Sequence, residues 1–198
     1  MAGLVAAEGS AVEADSVVAV AGLAAAAHRG AGDMNMARLF RHWISLPWRM
    51  RRFFSSEALK RIEGAIAKSE TRHGGQICFA VEHALDTQSL LHGLSARERA
   101  LEVFSVLNVW DTEHNNGVLI YLLLADRDVE IIADRGIHGR VGLQGWEAIC
   151  REMESAFREG RFEQGALSGI ERVSVLLEGF FPKDDRTSNE LSDRPVLL

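Results

Sequence analysis

Val118-Leu119-Ile120-Tyr121-Leu122-Leu123-Leu124-Ala125-Asp126-Arg127-Asp128-Val129-Glu130-Ile131-Ile132-Ala133 is the stretch on which the fold turns. Its first eight residues form an unbroken apolar run, the pattern of a central strand covered on both faces. A half-exposed strand would alternate instead. Asp126 and Arg127 then turn the chain, and Val129 to Ala133 is a second short β run. The pair predicts an antiparallel hairpin closed by a tight polar turn.

Working upstream, Gln76 to Ala84 is strand-like, with Ile77, Phe79 and Val81 alternating against Gln76, Cys78, Ala80 and Glu82. Between this run and the hairpin, Ser95 and Glu98 form a capping-box pattern that opens a helix over Ala96 to Leu107, with Leu101, Phe104, Val106 and Leu107 apolar. An earlier helix starts at Ser55 or Ser56 and places Leu59, Ile62, Ala65, Ile66 and Ser69 along one stripe. Gly74 and Gly75 are expected to end it in the left-handed conformation. Downstream, one helix is predicted over Leu143 to Arg158, with Trp146, Ile149, Met153 and Phe157 inward and Gly160 as its stop. Another covers Phe162 to Phe180 before Pro182. The order contains one strand-helix-strand unit, which predicts a right-handed parallel crossover. The fold class is therefore α/β: a small mixed β-sheet with helices on both faces, an α/β/α sandwich.

The ends divide into further segments. Residues 1–35 are rich in Ala, Val and Gly and are expected to be a disordered extension, with translation starting at Met34 or Met36. Glu8, Glu13 and Asp15 interrupt the apolar run and no Lys or Arg precedes it, unlike a signal peptide. The uninterrupted part, Ser16 to Ala27, falls well short of the roughly 20 residues a bilayer requires. Residues 36–53 read as an amphipathic basic helix: Met36, Leu39, Phe40, Trp43 and Ile44 recur at helical spacing, Arg38, Arg41 and His42 fall between them, and Pro47 stops the helix. Arg49, Arg51 and Arg52 then cluster beside Trp48 and Phe53. Aromatic anchors with arginines suit an anionic membrane surface; the same helix could instead fold back onto an apolar groove of the domain. Residues 54–182 form the domain, and the polar tail 183–198 is expected to be disordered, with nothing to bury.

Composition narrows the function classes. At 198 residues, 47% apolar and 25% charged, the chain has room for one globular domain. A net charge of −6 argues against nucleic acid as a partner, since that needs a basic face to displace counterions. The two cysteines, Cys78 and Cys150, lie far apart with no Cys/His cluster, so neither a zinc site nor a disulfide framework is indicated. His73, His83 and His92 are spread over a helix end, a strand end and a loop, which is not ligand spacing. There is no phosphate-binding glycine loop, GxSxG elbow or HExxH. Trp110 and Trp146 read as core and rim.

The run Trp110-Asp111-Thr112-Glu113-His114-Asn115-Asn116-Gly117-Val118-Leu119-Ile120, then Ala125-Asp126-Arg127, then Ile131-Ile132-Ala133-Asp134-Arg135-Gly136-Ile137, resembles the middle of the TPM domain family. That family shows an Asn-Gly-Val-Leu strand, an Asp-Arg turn, a second strand, a Gly-Tyr-Gly-like loop and two helices with a glycine pair matching Gly160 and Gly165. The resemblance extends from Ser56 to Phe181, to the short bacterial form without signal peptide or membrane anchor. It implies a TPM-like domain in a family whose secreted and membrane-anchored members are linked to photosystem repair, acetylcholine-receptor modulation and bacterial envelopes. Some members bind calcium or show weak phosphatase activity. This chain departs from the pattern in three places: Phe53, Phe54 and Ser55 stand where an Asp is usual, Val141-Gly142-Leu143 stands where Leu-Thr-Asp is usual, and Asp134-Arg135-Gly136 replaces Gly-Tyr-Gly.

A hairpin returns the end of its second strand to the level where its first began. The loop Asp111 to Asn116 and the residues Asp134, Arg135 and His138 should therefore be neighbours. Three readings of that cluster stay open. Asp111, Glu113 and Asp134 offer hard oxygen ligands to calcium, with Asn115 or Asn116 adding a carbonyl. Asp111, His114 and Asp134 are the right residue types for acid/base hydrolysis. Or Asp111 and Thr112 cap turns, Asn116-Gly117 is turn chemistry, and Arg135 pairs with Asp134 or a helix terminus. The functional expectation is a non-enzymatic binding or regulatory module, cytoplasmic and peripheral to the inner membrane, with a protein partner or a membrane surface met through Met36 to Phe53. The alternative is a metal-dependent, calcium-linked, phosphatase-like hydrolase.

Overall fold

The computed structural model describes residues 36–44, 47–184 and 188–198; the expectations for residues 1–35 lie outside the described residues. The apolar run becomes β2 (Gly117–Leu123), paired antiparallel with β3 (Asp128–Ala133) and parallel with β1 (Gln76–Glu82). The strand order is β3-β2-β1-β4, where β4 is the short Val196–Leu197 at the outer edge of β1. Every residue of β2 is buried, as its continuous apolar run required, and so is every residue of β1, although its sequence alternates.

The period of two sorts these strands between two cores. Ile77, Phe79, Val81, Val118, Ile120 and Leu122 face one core, with α3 (Ser56–Ser69), α6 (Arg135–Arg158) and α7 (Phe162–Phe180). Cys78, Ala80, Leu119, Tyr121 and Leu123 face the other, under α4 (Thr87–Leu91) and α5 (Ala96–Val106). The sheet is mixed, with helices on both faces. Two of the caps are those read from the sequence: Ser55 accepts from the Ala58 N–H at the start of α3, and Ser95 with Glu98 closes a reciprocal capping box on α5. The second core is tied to the sheet by a polar link. Buried Glu82 accepts 2.7 Å from the Tyr121 hydroxyl and 2.9 Å from Arg99 Nε of α5, so its charge is compensated.

Five features differ from the sequence expectations. The segment 36–53 is two helices, α1 (Met36–Trp43) and α2 (Pro47–Phe53), because Pro47 opens a helix as well as stopping one: its missing N–H costs nothing in a first turn. The short helix α4, capped by Asp86 accepting from the Gln88 and Ser89 N–H groups, was not foreseen. Gly74 and Gly75 are not left-handed, since the positive-φ glycines among the described residues are Gly93, Gly142 and Gly160; Gly75 is small because a Cβ there would lie 2.4 Å from Leu177 Cδ2. The helix predicted from Leu143 is present, but an unforeseen short helix from Arg135 precedes it, and the two are joined across a break at Gly142, whose φ is 73°. The tail expected to be disordered returns to the sheet over residues 188–198: Gln76 accepts from the Glu190 and Leu191 N–H groups at 2.8 and 3.0 Å, and β4 pairs Val196 with Ala80 and Leu197 with Val81. A strand edge with unpaired backbone groups attracts any segment that can reach it, polar or not.

Candidate functional site

The hairpin does bring the predicted loops together. The Asp134 N–H donates to Gly117 O at 2.9 Å, and Arg135 Nε donates to Asn115 Oδ1 at 3.0 Å. Their groups are engaged in holding the chain. Asp134 is the N-cap of α6, accepting from the Arg135 N–H, and its other oxygen is buried without a partner. Burial pushes the Asp134 pKa up, against the opposing hydrogen bond from Arg135. Asn116 donates to Gly74 O at 3.0 Å, and its own N–H donates to Thr112 Oγ1. Asp111, Glu113 and His114 are exposed, the Glu113 N–H donating to Glu190 of the tail, while His138 lies half-buried in the first turn of α6. Among the described residues no group of three or more His, Cys, Asp or Glu side chains is placed to hold a metal ion. The geometry of these loops is that of caps and turns.

A second arrangement lies at the opposite end of the hairpin, around the turn that closes it. Arg38, Arg41 and His42 of α1 all converge on Asp126: Arg38 Nε donates to Oδ2 and Arg41 Nη2 to Oδ1, both at 2.9 Å. His42 is buried, its Nδ1 accepting from the Leu85 N–H at 3.0 Å. The ring proton therefore sits on Nε2, which faces Asp126 Oδ2 at 3.1 Å, close but without hydrogen-bond geometry. Burial would raise the Asp126 pKa, but His42 and Arg38 against it hold it down at about 2. Arg38 also donates to Leu94 O, fixing α1 beside α4.

The consequence is an inverted amphipathic helix. Its basic stripe faces the protein, with only Leu39 among its large apolar residues packed on the core. Met36, Phe40 and Trp43, at i, i+4 and i+7, point away and are 70%, 62% and 77% exposed; Ile44 continues the same face. The helix does fold back onto the domain, but through its basic side and not by laying its apolar face in a groove. The signal was in the sequence, because Arg38, Arg41 and His42 already shared one face, but their common anion lies 84 or more positions away and nothing local points to it. Among the described residues no helix is long and apolar enough to cross a membrane.

The TPM domain matches residues 50–176, most of the chain. The protein BA42 of the psychrophilic bacterium Bizionia argentinensis, solved by NMR, is similar at 29% identity and a TM-score of 0.65, over 74% of this chain and 96% of that one. The N-terminal domain of a P. gingivalis protein, also solved by NMR, is 19% identical with a TM-score of 0.52, over 63% of this chain and 76% of that one, and shares the fold alone. No curated protein matches the chain. Helix α1, with its outward apolar face, lies before the matched residues. By the match that covers α3, the whole hairpin and most of α7, the chain belongs to the TPM domain family.

Proposed function

We propose that the chain is a non-enzymatic binding or regulatory module that docks on an anionic membrane surface through α1 and α2. The observation that carries this reading is the outward face of α1. An amphipathic helix normally turns its apolar side to the core; here Asp126 holds the basic side inward and leaves Met36, Phe40, Trp43 and Ile44 to solvent. Clustered exposed aromatics mark an interaction surface. The occupant is indicated by charge. Residues 36–53 contain Arg38, Arg41, Arg49, Arg51 and Arg52 and no Asp or Glu, in a chain whose net charge is −6. Arg51 and Arg52 are exposed and make no ion pair among the described residues. Apolar anchors with a basic flank are what an anionic lipid surface binds, each exposed cation contributing about 1 kcal/mol near the surface.

Flotation of the full chain with phosphatidylcholine vesicles, with and without phosphatidylglycerol, tests this. Binding should require the anionic lipid, weaken with added salt, and fall at least about tenfold in Phe40→Ser/Trp43→Ser, whose circular dichroism should be unchanged because both side chains are exposed. Equal flotation of wild type and variant would remove the reading. The calcium-linked hydrolase alternative needs Asp111, Glu113 and Asp134 to converge, which their positions as exposed loop and helix cap do not favour. A saturable calcium titration lost in Asp134→Asn would bring it back.

A further inference from the structure

Beside the docking face is a hollow. A cavity of about 290 Å³ lies between α1, α2 and the turn joining β2 to β3. Met50, Phe53 and Leu124 form its apolar wall, and Arg41, His83, Asp126 and Arg127 its polar one. Asp126 is the only carboxylate in the lining and is already held by Arg38, Arg41 and His42. Arg127 makes no ion pair among the described residues. It also sits in the left-handed region, with φ 53°, where an arginine is uncommon. Asn108 and Asn115 share that conformation, but asparagine tolerates it. A bulky cation is thus held in a strained turn position against a half-apolar hollow, and an outlier of this kind points to function.

We infer that the hollow receives the phosphate headgroup of an anionic phospholipid, with Arg127 and the unengaged donors of Arg41 on the phosphate oxygens and Met50, Phe53 and Leu124 against the first methylenes. Guanidinium forks match phosphate in geometry as well as charge. The volume is at the small end for ligand sites, which span roughly 300–1,000 Å³, so it takes a headgroup and not two acyl chains. The chains remain in the bilayer, and Ile44, which lines the hollow and is 46% exposed, joins it to the outward face of α1. The inference rests on the membrane-docking reading, to which it adds a headgroup.

Arg127→Gly is the informative variant, because glycine adopts the positive φ freely and the fold should be kept or slightly stabilised. The full chain and this variant are compared on phosphatidylglycerol vesicles, on soluble dihexanoylphosphatidylglycerol and on inorganic phosphate. Expected results are about tenfold weaker binding of both lipids by Arg127→Gly and only partial recovery in Arg127→Lys. In the wild type, short-chain lipid should shift the amide resonances of Ala125 to Asp128. Vesicle binding unchanged in Arg127→Gly would overturn the headgroup site and leave docking standing. Saturable binding of the short-chain lipid at these amides without vesicle binding would keep the site and overturn docking. Inorganic phosphate binding as tightly as the short-chain lipid would overturn the lipid assignment.

Discussion

At Gly117 a Cβ would lie 2.0 Å from the Val109 carbonyl oxygen, and at Gly136 it would lie 2.4 Å from that of Asn115. Both contacts are with backbone, which cannot swing aside as a side chain can. Gly136→Ala should therefore destabilise the protein by about 2 kcal/mol or more, seen as a lower urea midpoint with an unchanged slope. A midpoint within error of wild type would mean that the start of α6 is looser than its contact with Asn115 implies. These two glycines also show what single residues disclose in a sequence. Gly117 was legible as part of an Asn-Gly turn, yet its smallness answers to close backbone approach, a tertiary fact. Asp134 was legible as an acid beside a loop, which looks the same whether the residue binds a metal or caps a helix. The helix it caps was hidden by Gly136 and Gly139, which depress helix propensity where packing overrides it. Ser55 and the Ser95-Glu98 pair were read correctly because caps are settled within a few residues.

At the scale of an element, α1 has eight residues and is too short to persist alone in water. Its place depends on Asp126. Because the folded pKa of that carboxyl lies at about 2, below the ordinary 3.8, its contribution is fully present above pH 3.8 and is lost as pH falls through 2. The protection of the amides of residues 36–44 against hydrogen exchange should accordingly fall between about pH 4 and 2, ahead of that of the amides of β2. Asp126→Asn should produce the same release at pH 7, because Arg38, Arg41 and His42 would face a neutral amide. Protection of α1 that is the same in Asp126→Asn and wild type would show that Leu39 and the Leu94 carbonyl suffice to hold it. The helix itself was legible from its period of 3.6. Its orientation was not, since a helical wheel ranks faces by hydrophobicity and has no term for a distant buried carboxylate.

Across the whole molecule, the tail and the N-terminal end of β1 are linked through a titratable group. The sequence of the tail, polar and without periodicity, carries no sign of this; what draws it in is the edge of β1 and the Gln76 amide, both elsewhere in the chain. Glu70, at the end of α3, accepts from the Ile77 N–H at 3.0 Å, while its second oxygen is buried without a hydrogen-bond partner. Burial pushes its pKa up to about 7, the Ile77 hydrogen bond opposes this, and Asp193 of the tail raises it further. Lys183 pulls weakly the other way. Between about pH 4.5 and 7 the folded chain thus holds a proton that the unfolded chain has released, so this group makes stability fall as pH rises, by on the order of 3 kcal/mol in all. His73 acts in the opposite sense. Buried and pushed down to about 4, it is neutral in the folded chain where the unfolded chain is protonated, so stability rises with pH from about 4 to 6.5. The two slopes oppose each other over most of the same window. Glu70→Gln removes one of them while keeping the acceptor for Ile77 and offering Asp193 a donor. Urea denaturation of wild type and Glu70→Gln from pH 4.5 to 7.5 should give curves that diverge as pH rises, with the variant ahead by a few kcal/mol at neutral pH. Parallel curves would mean that the Glu70 carboxyl titrates in the folded chain as it does in the unfolded one.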